Sequence, residues 1–145
     1  MKSEEGTIRL AKIEDAKRIT DLFNSNKFVL GDNKIKYFES EIKEYIKKKI
    51  DRVIVFEKDN KIIGVFLAQF WSDYIYIHTA IIDRKYIQHG IGTKLLEYLE
   101  KHGKKEKKDL IEVEVETDNK IMNQFLQKRK FKRGKKFFYY SKELK

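Results

Sequence analysis

The chain has no cysteine and no proline, one tryptophan and two methionines among 145 residues. Without cysteine there is no disulfide, no thiolate metal site and no cysteine nucleophile. His78, His89 and His102 are too scattered in sequence to read as a metal cluster, so no metal is expected. No apolar run reaches membrane-spanning length, and the N-terminus lacks the apolar core of a signal peptide. A cytoplasmic protein with no membrane partner is the expectation. With no proline, repeat or low-complexity linker, residues 1–145 read as one domain, and 41% hydrophobic residues are enough for one core.

Positive charge is plentiful. Thirty-three Lys and Arg stand against 23 Asp and Glu, a formal net charge of +10. One tract, Lys101 to Lys108, has five Lys and one Glu. A second, Gln127 to Lys136, holds Lys128, Arg129, Lys130, Lys132, Arg133, Lys135 and Lys136 with no acid. Such faces can attract nucleic acid, anionic membrane or a phosphorylated ligand, or can simply be solvated. Solvation is the expectation here, with only weak, non-specific binding of nucleic acid.

Hydrophobic periodicity gives the order β α α β β β α β α β. Thr7–Ala11 reads as a strand. Ile13–Asn24 reads as a helix burying Ala16, Ile19 and Phe23. Gly31 to Asn33 breaks the chain. Tyr37–Ile50 reads as a second helix with Phe38, Ile42, Tyr45 and Ile46 on one side. Arg52–Glu57 and Lys61–Trp71 form a hairpin around Lys58-Asp59-Asn60. Tyr74–Ile82 is a strand on which His78 shares a face with Tyr74, Tyr76 and Ala80. Gly92–Gly103 is a helix, and Ile91, Leu95, Leu96 and Leu99 form its inner stripe. Leu110–Glu116 alternates as a strand, Asn119–Lys128 is a helix with Met122, Phe125 and Leu126 inward, and Phe137–Ser141 is a closing strand. The pattern implies an α/β (α+β) fold with a mixed, mostly antiparallel sheet flanked by helices.

The densest signal is Ile82-Asp83-Arg84-Lys85-Tyr86-Ile87-Gln88-His89-Gly90-Ile91-Gly92-Thr93-Lys94-Leu95-Leu96. A strand runs into a loop with two glycines one residue apart, and a helix follows at once. Bare backbone N–H groups at a helix start, with the helix dipole behind them, suit a phosphate. The alternative is a tight turn with no ligand. The dinucleotide pattern fails because Leu95 stands where its third glycine belongs, and the P-loop fails because Thr93-Lys94 is in reversed order.

The segment resembles the coenzyme A loop of the GNAT acyltransferases, Q/R-x-x-G-x-G/A. Ile87 takes the Q/R place, which is a departure, Gln88 and His89 the free places, and Gly90-Ile91-Gly92 the rest. The element order resembles that fold along nearly the whole chain. The resemblance implies acetyl-CoA as cosubstrate, lying between two parallel strands that splay apart, with pantetheine along Ile81 and Ile82. Backbone N–H groups near Ile82 would polarise the thioester. Gln88 to Thr93 would hold the pyrophosphate, and Asn119 and Phe125 count among the cofactor contacts.

Acyl transfer to an amine needs a base, oxyanion stabilisation and a leaving thiolate. Strand period two puts Glu112, Glu114 and Glu116 on one face, either a solvated face or, with this strand interior, a polar cleft. By resemblance, Glu114 is the base, five residues before Asn119, which opens the next helix. His78 is the second candidate, its alternative being a partly buried imidazole bonded to a neighbouring Tyr. The last helix resembles N-x-x-A-x-x-x-Y-x-x-x-G-F, which Asn119 and Phe131 match. Leu126 replaces the Tyr that serves as general acid, so Tyr139, Tyr140 or water would serve instead. Trp71 reads as core or as acceptor-pocket lining. The acceptor, an amine-bearing small molecule or a protein, stays open, and the basic surface disfavours highly cationic ones. Leu126 favours a rival from another class: a non-catalytic domain of this fold that binds acetyl-CoA or nucleic acid. A homodimer is left open.

Overall fold

Five strands pair into one sheet in the order β1-β2-β3-β4-β5. They are β1 Thr7–Leu10, β2 Asp51–Lys58, β3 Lys61–Phe70, β4 Tyr74–Ile82 and β5 Leu110–Val113. The computed structural model describes residues 4–31 and 34–145. The first four strands run antiparallel in succession, and β4 pairs β5 in parallel. The sheet is therefore mixed and mostly antiparallel, as the sequence pattern implies. Asp59 and Asn60 join β2 to β3 with φ of 49° and 62°. Two left-handed residues make the turn whose twist matches a hairpin, and Asp and Asn adopt that conformation with little strain.

Two layers of helix cover this sheet. α1 (Ala16–Asn24) follows a single 3-10 turn at Ile13–Asp15, and α2 is one turn, Lys27–Leu30. α3 is Glu39–Lys47 and α4 is Ile91–Lys105. Ala16, Ile19, Leu22 and Phe23 of α1 and Ile42 of α3 are buried in one cluster with Val53, Val55, Val65, Leu67 and Ile81 of the sheet. On α4 the buried stripe is Ile91, Leu95, Leu96 and Leu99. Each such side chain contributes about 1.5–3 kcal/mol on burial, which is what holds the helices to the strands. Gly64 in β3 lets α4 approach closely: a Cβ there would stand 2.8 Å from Ile91 Cγ2 and 3.1 Å from Ile82 Cδ1.

Residues up to Glu114 form one compact unit, and Val115–Lys145 form a second. In the second unit α5 spans Lys120–Lys128 and is capped by Asn119, whose side-chain oxygen accepts from the Met122 N–H at 3.3 Å. Asn119 thus opens this helix, as expected. Among the described residues no helix is long and apolar enough to cross a membrane.

Several expectations need correction. Phe137–Ser141 is not a strand, and Phe137, Phe138, Tyr139 and Tyr140 are exposed. Four aromatics in succession give no alternation, so they specify no register. β5 stops at Val113 rather than Glu116 and is the last strand of its sheet, not an interior one. Glu112 and Glu114 accordingly face solvent. α3 begins at Glu39 after Phe38, which is exposed rather than packed beside Ile42. Trp71 is 42% exposed and stacks on Tyr74 instead of entering the core. The break at Gly31 to Asn33 falls partly outside the described residues, since Asp32 and Asn33 are not described.

Candidate functional site

The glycine loop lies at the start of α4. Gly90 is the N-cap residue, left-handed with φ 80° and ψ 4°. Gln88 is also left-handed, at φ 67°. The first N–H groups of a helix have no acceptor within it, so Ile91 and Gly92 present theirs at the positive end of a 15-residue helix. Before the loop, Asp83 accepts from Arg18 at 2.7 Å and from the Lys85 N–H at 3.1 Å. Burial alone would raise the Asp83 carboxyl, but the Lys85 N–H and Arg18 outweigh it and hold it below the usual value. This ties the loop entrance to α1.

Three side chains beside the loop, His89, Lys58 and Lys94, meet at Glu4. Glu4 pairs with His89 Nδ1 at 3.0 Å and with Lys58, and Lys94 Nζ donates to the Glu4 carbonyl. Hydrogen bonds from Lys58 and then His89 hold the Glu4 carboxyl below its ordinary value. Sequence reasoning missed Glu4, which stands 85 residues from His89 and matches no motif.

β4 carries an open edge. Its ladder with β5 runs from the Tyr74–Leu110 pair to the Ile77–Val113 pair and ends there. Residues His78 to Ile82 therefore continue beyond their parallel neighbour, and Ile81 and Ile82 stand along the opening, where the resemblance expects pantetheine. On the other side of β4, Ala68 pairs Ile77 and Leu67 pairs Thr79, which leaves His78 as the extra residue of a β-bulge.

The bulge changes which side chains share a face. Ile75 meets α4 at Gly103, and Ile82 meets it beside Gly64 and Ile91. Strict period two would put residues 75 and 82 on opposite faces. Ala80 pairs Phe66 beyond the bulge and so leaves the face of Tyr74 and Tyr76, contrary to the alternation read from sequence. Thr79 takes the position beside His78 instead.

His78 sits in a network of hydroxyls and rings. Its Nδ1 is 2.8 Å from Thr79 Oγ1, which is 3.2 Å from the Tyr37 hydroxyl. The Tyr45 and Tyr76 rings lie 6.0 and 6.3 Å from the imidazole. The bond goes to Thr79 rather than directly to a Tyr. Burial lowers the His78 pKa, and Asp51 opposes that only in part. The side chain still keeps an exposed face on β4. Burial first, then Glu114 and Glu112, raises the Tyr76 hydroxyl. The two glutamates thus stand within electrostatic reach of the tyrosine that packs on His78.

Asp51 is the second residue that sequence reasoning missed. It is 5% exposed at the start of β2, and its Oδ1 has no hydrogen-bond partner among the described residues. An acid opening the apolar run Asp51-Arg52-Val53-Ile54-Val55-Phe56 was the available signal. A cavity of about 270 Å³ is lined by Val29, Leu30, Ile35, Lys36, Tyr37, Glu41 and Tyr45. A larger one, about 810 Å³, is a charged cleft at the hairpin turn, bordered by Glu4, Glu57, Lys58 and Asp59.

Of the sequence-derived candidates, His78, Glu114, Ile82 and Ile87 to Thr93 belong to the first unit. Ile87 and Gln88 are exposed loop residues, Ile87 at 38%. Asn119, Phe125 and Tyr139 belong to the second. There the Asn119 side chain caps α5, Phe125 has the Arg129 guanidinium 5.0 Å from its ring centre, and Tyr139 lies in a C-terminal stretch without regular secondary structure. Leu126 is half-buried on α5.

A family model described as "Acetyltransferase (GNAT) family" matches residues 16–131. The chain belongs to the GNAT acetyltransferase family. Solved structures agree on the fold. A transcriptional regulator from Bacillus halodurans C-125 has a TM-score of 0.83 at 19% identity, covering 94% of this chain and 99% of that one. An aminoglycoside acetyltransferase from an uncultured soil metagenomic sample, in complex with sisomicin, has a TM-score of 0.77 at 16% identity, with 96% of each chain covered. The aminoglycoside N-acetyltransferase AAC(6')-Iy in complex with CoA has a TM-score of 0.77 at 13% identity, with 94% and 99% covered. No curated protein sequence matches the chain. The fold class read from the sequence, a GNAT-like mixed sheet with a parallel strand pair, is thereby borne out.

Proposed function

We propose that this protein transfers an acetyl group from acetyl-CoA to a primary amine by direct attack in a ternary complex, and that its two units act as one acetyltransferase domain. The family match crosses both units, which supports the last point. One conjunction carries the reading: the open edge of β4, the bulge at His78 and left-handed Gly90 at the α4 start all occur within the same unit. These features fit a long ligand with an amide-bearing arm and a pyrophosphate. The backbone of His78 to Ile82 would pair with the arm, and the N–H groups from Gly90 to Thr93 would hold the phosphates. Acetyl-CoA supplies the acetyl thioester. The solved relative with bound CoA supports that choice.

The amine nitrogen bonds to the acetyl carbon, the carbon–sulfur bond breaks, and the ammonium proton must go to a base. His78 suits that role because desolvation by its neighbours favours the neutral ring and Thr79 orients it. Glu114 is the second base, one residue past the end of β5. Tyr139 is the candidate acid for the thiolate in place of Leu126. A thiol of ordinary pKa, about 8.5, leaves tolerably without one.

Leu126 supports a second reading, a domain that binds acetyl-CoA without turnover. Two measurements separate them. Calorimetry with CoA tests the ligand, and thiol release from acetyl-CoA against an amine panel tests transfer. Binding without release on every amine would favour the second reading. No binding at all would overturn both.

A further inference from the structure

A net charge of +10 disfavours a polycationic acceptor, yet the face of β4 that carries the bulge is acidic and aromatic. Asp51 pairs Gln69, Gln69 pairs Tyr76, and Tyr76 pairs Glu112, so one rung of the sheet carries a carboxylate at each end with Gln69 and Tyr76 between them. Directly opposite residues of neighbouring strands share a face. The Tyr45 ring, from α3, stands over the same region 6.0 Å from His78 and lines the 270 Å³ cavity with Tyr37 and Glu41. Among the described residues lining that cavity, Lys36 is the one cation.

Asp51 Oδ1 is the unexplained atom of this face. Burying an acceptor without a partner costs about 1–3 kcal/mol, and more for a charged group. Arg52, next in sequence, does not relieve it, because its guanidinium pairs with Glu106 and stacks on Phe70 at 3.7 Å. An ammonium would satisfy such a carboxylate through a charge-assisted hydrogen bond, and tyrosine rings would wall it by cation–π contact. Burial first, then Tyr37, Glu41 and Asp51, raises the Tyr45 hydroxyl, as expected where negative charge gathers around a ring.

We propose that Asp51, with Tyr45 and Tyr76, forms a subsite for a second ammonium group of the acceptor, so that the substrate class is a diamine whose other nitrogen is presented at His78. This rests on the acetyl-transfer reading but concerns recognition, and it can be tested without turnover. The buried carboxylate selects the dication. The distance between the two nitrogens sets which chain length fits.

The test is calorimetric titration of the full chain with 1,4-diaminobutane, its three- to eight-carbon homologues, and n-butylamine, with no acyl donor present. The wild-type protein should bind its best diamine at least tenfold more tightly than n-butylamine. Asp51→Asn keeps the shape and should erase that preference while leaving CoA affinity unchanged. Tyr45→Leu, which keeps the carboxylate, should reduce it severalfold. Equal wild-type affinity for diamine and monoamine would overturn the proposal, and that result stands even if Asp51→Asn fails to fold. So would an Asp51→Asn variant that keeps the preference. Thiol release is then measured separately. A diamine preference with no release would sink the acetyl-transfer reading and leave the subsite standing.

Discussion

Gly90 allows the glycine loop's contribution to binding to be separated from its contribution to folding. Its backbone is left-handed at φ 80°, and it caps a 15-residue helix. A Cβ in that conformation costs roughly 1–2 kcal/mol. Gly90→Ala therefore loses about five- to thirtyfold in some equilibrium constant. If the loop keeps its shape, stability falls by that amount; if it relaxes, the N–H groups turn away and CoA affinity falls. Gly90→Asn behaves differently. Asn tolerates the left-handed region and is a good N-cap residue, so stability should stay near wild type. Its side chain nevertheless enters the space a phosphate needs, and CoA should bind at least tenfold more weakly. Gly92→Ala is the control, because the family pattern admits Gly or Ala at that place, and its affinity should stay within a few-fold of wild type. Thermal melts and CoA calorimetry on the three variants read both quantities. Wild-type affinity in both Gly90 variants would refute the assignment of this loop to the phosphates.

Four further outcomes are expected. Since desolvation holds His78 below the ordinary imidazole value of 6.5, the acidic limb of kcat/KM should lie below that value, and an acidic limb above it would remove His78 as the base. The same shift has a stability sign: an unfolded imidazole takes up its proton first, so this contribution is complete above the unfolded value and is lost as pH falls from there through the lower folded value. Glu114→Gln, set beside Glu112→Gln, should lower the rate on the order of a hundredfold if Glu114 shares the proton, with CoA affinity unchanged; wild-type rates across the pH range would make it structural. Gly64→Ala should destabilise by about 1–3 kcal/mol, because its methyl meets Ile91 Cγ2 at 2.8 Å between β3 and α4, and an unchanged melting temperature would show that the contact yields freely. The tract Lys128 to Lys136 should bind duplex DNA weakly and with a steep salt dependence, whereas a sub-micromolar complex at physiological salt would mean that the basic face is functional.

What could be read from the sequence follows from how local each signal is. The α4 stripe, the β2–β3 hairpin and the helix opened by Asn119 depend on periods and caps within a dozen residues. Each is present within a residue or two of where the pattern put it. Phe137–Ser141 failed because composition stood in for alternation. β5 was given too many residues for the opposite reason: its alternation runs on to Glu116 while its parallel ladder ends at Val113, and a ladder's length belongs to both strands. That early end leaves His78 to Ile82 without a parallel partner among the described residues, which is the edge the proposed pantetheine pairing would use.

The bulge shows where alternation stops being a guide to chemistry. On a strict period, His78 shares a face with Tyr74, Tyr76 and Ala80, and nothing distinguishes it from an ordinary sheet position. One extra residue opposite Leu67 and Ala68 moves Thr79 beside it and sends Ala80 to the other face. The imidazole then gains a hydroxyl at 2.8 Å and, through it, Tyr37 from a segment 42 residues away. Asp51 is hidden from sequence for a related reason: its partners on the rung, Gln69, Tyr76 and Glu112, come from three other strands. A whole-chain charge of +10 averages over such neighbourhoods. It describes the long-range field a ligand meets in solution, whereas the orphaned carboxylate at the start of β2 decides what can replace water once the ligand has arrived.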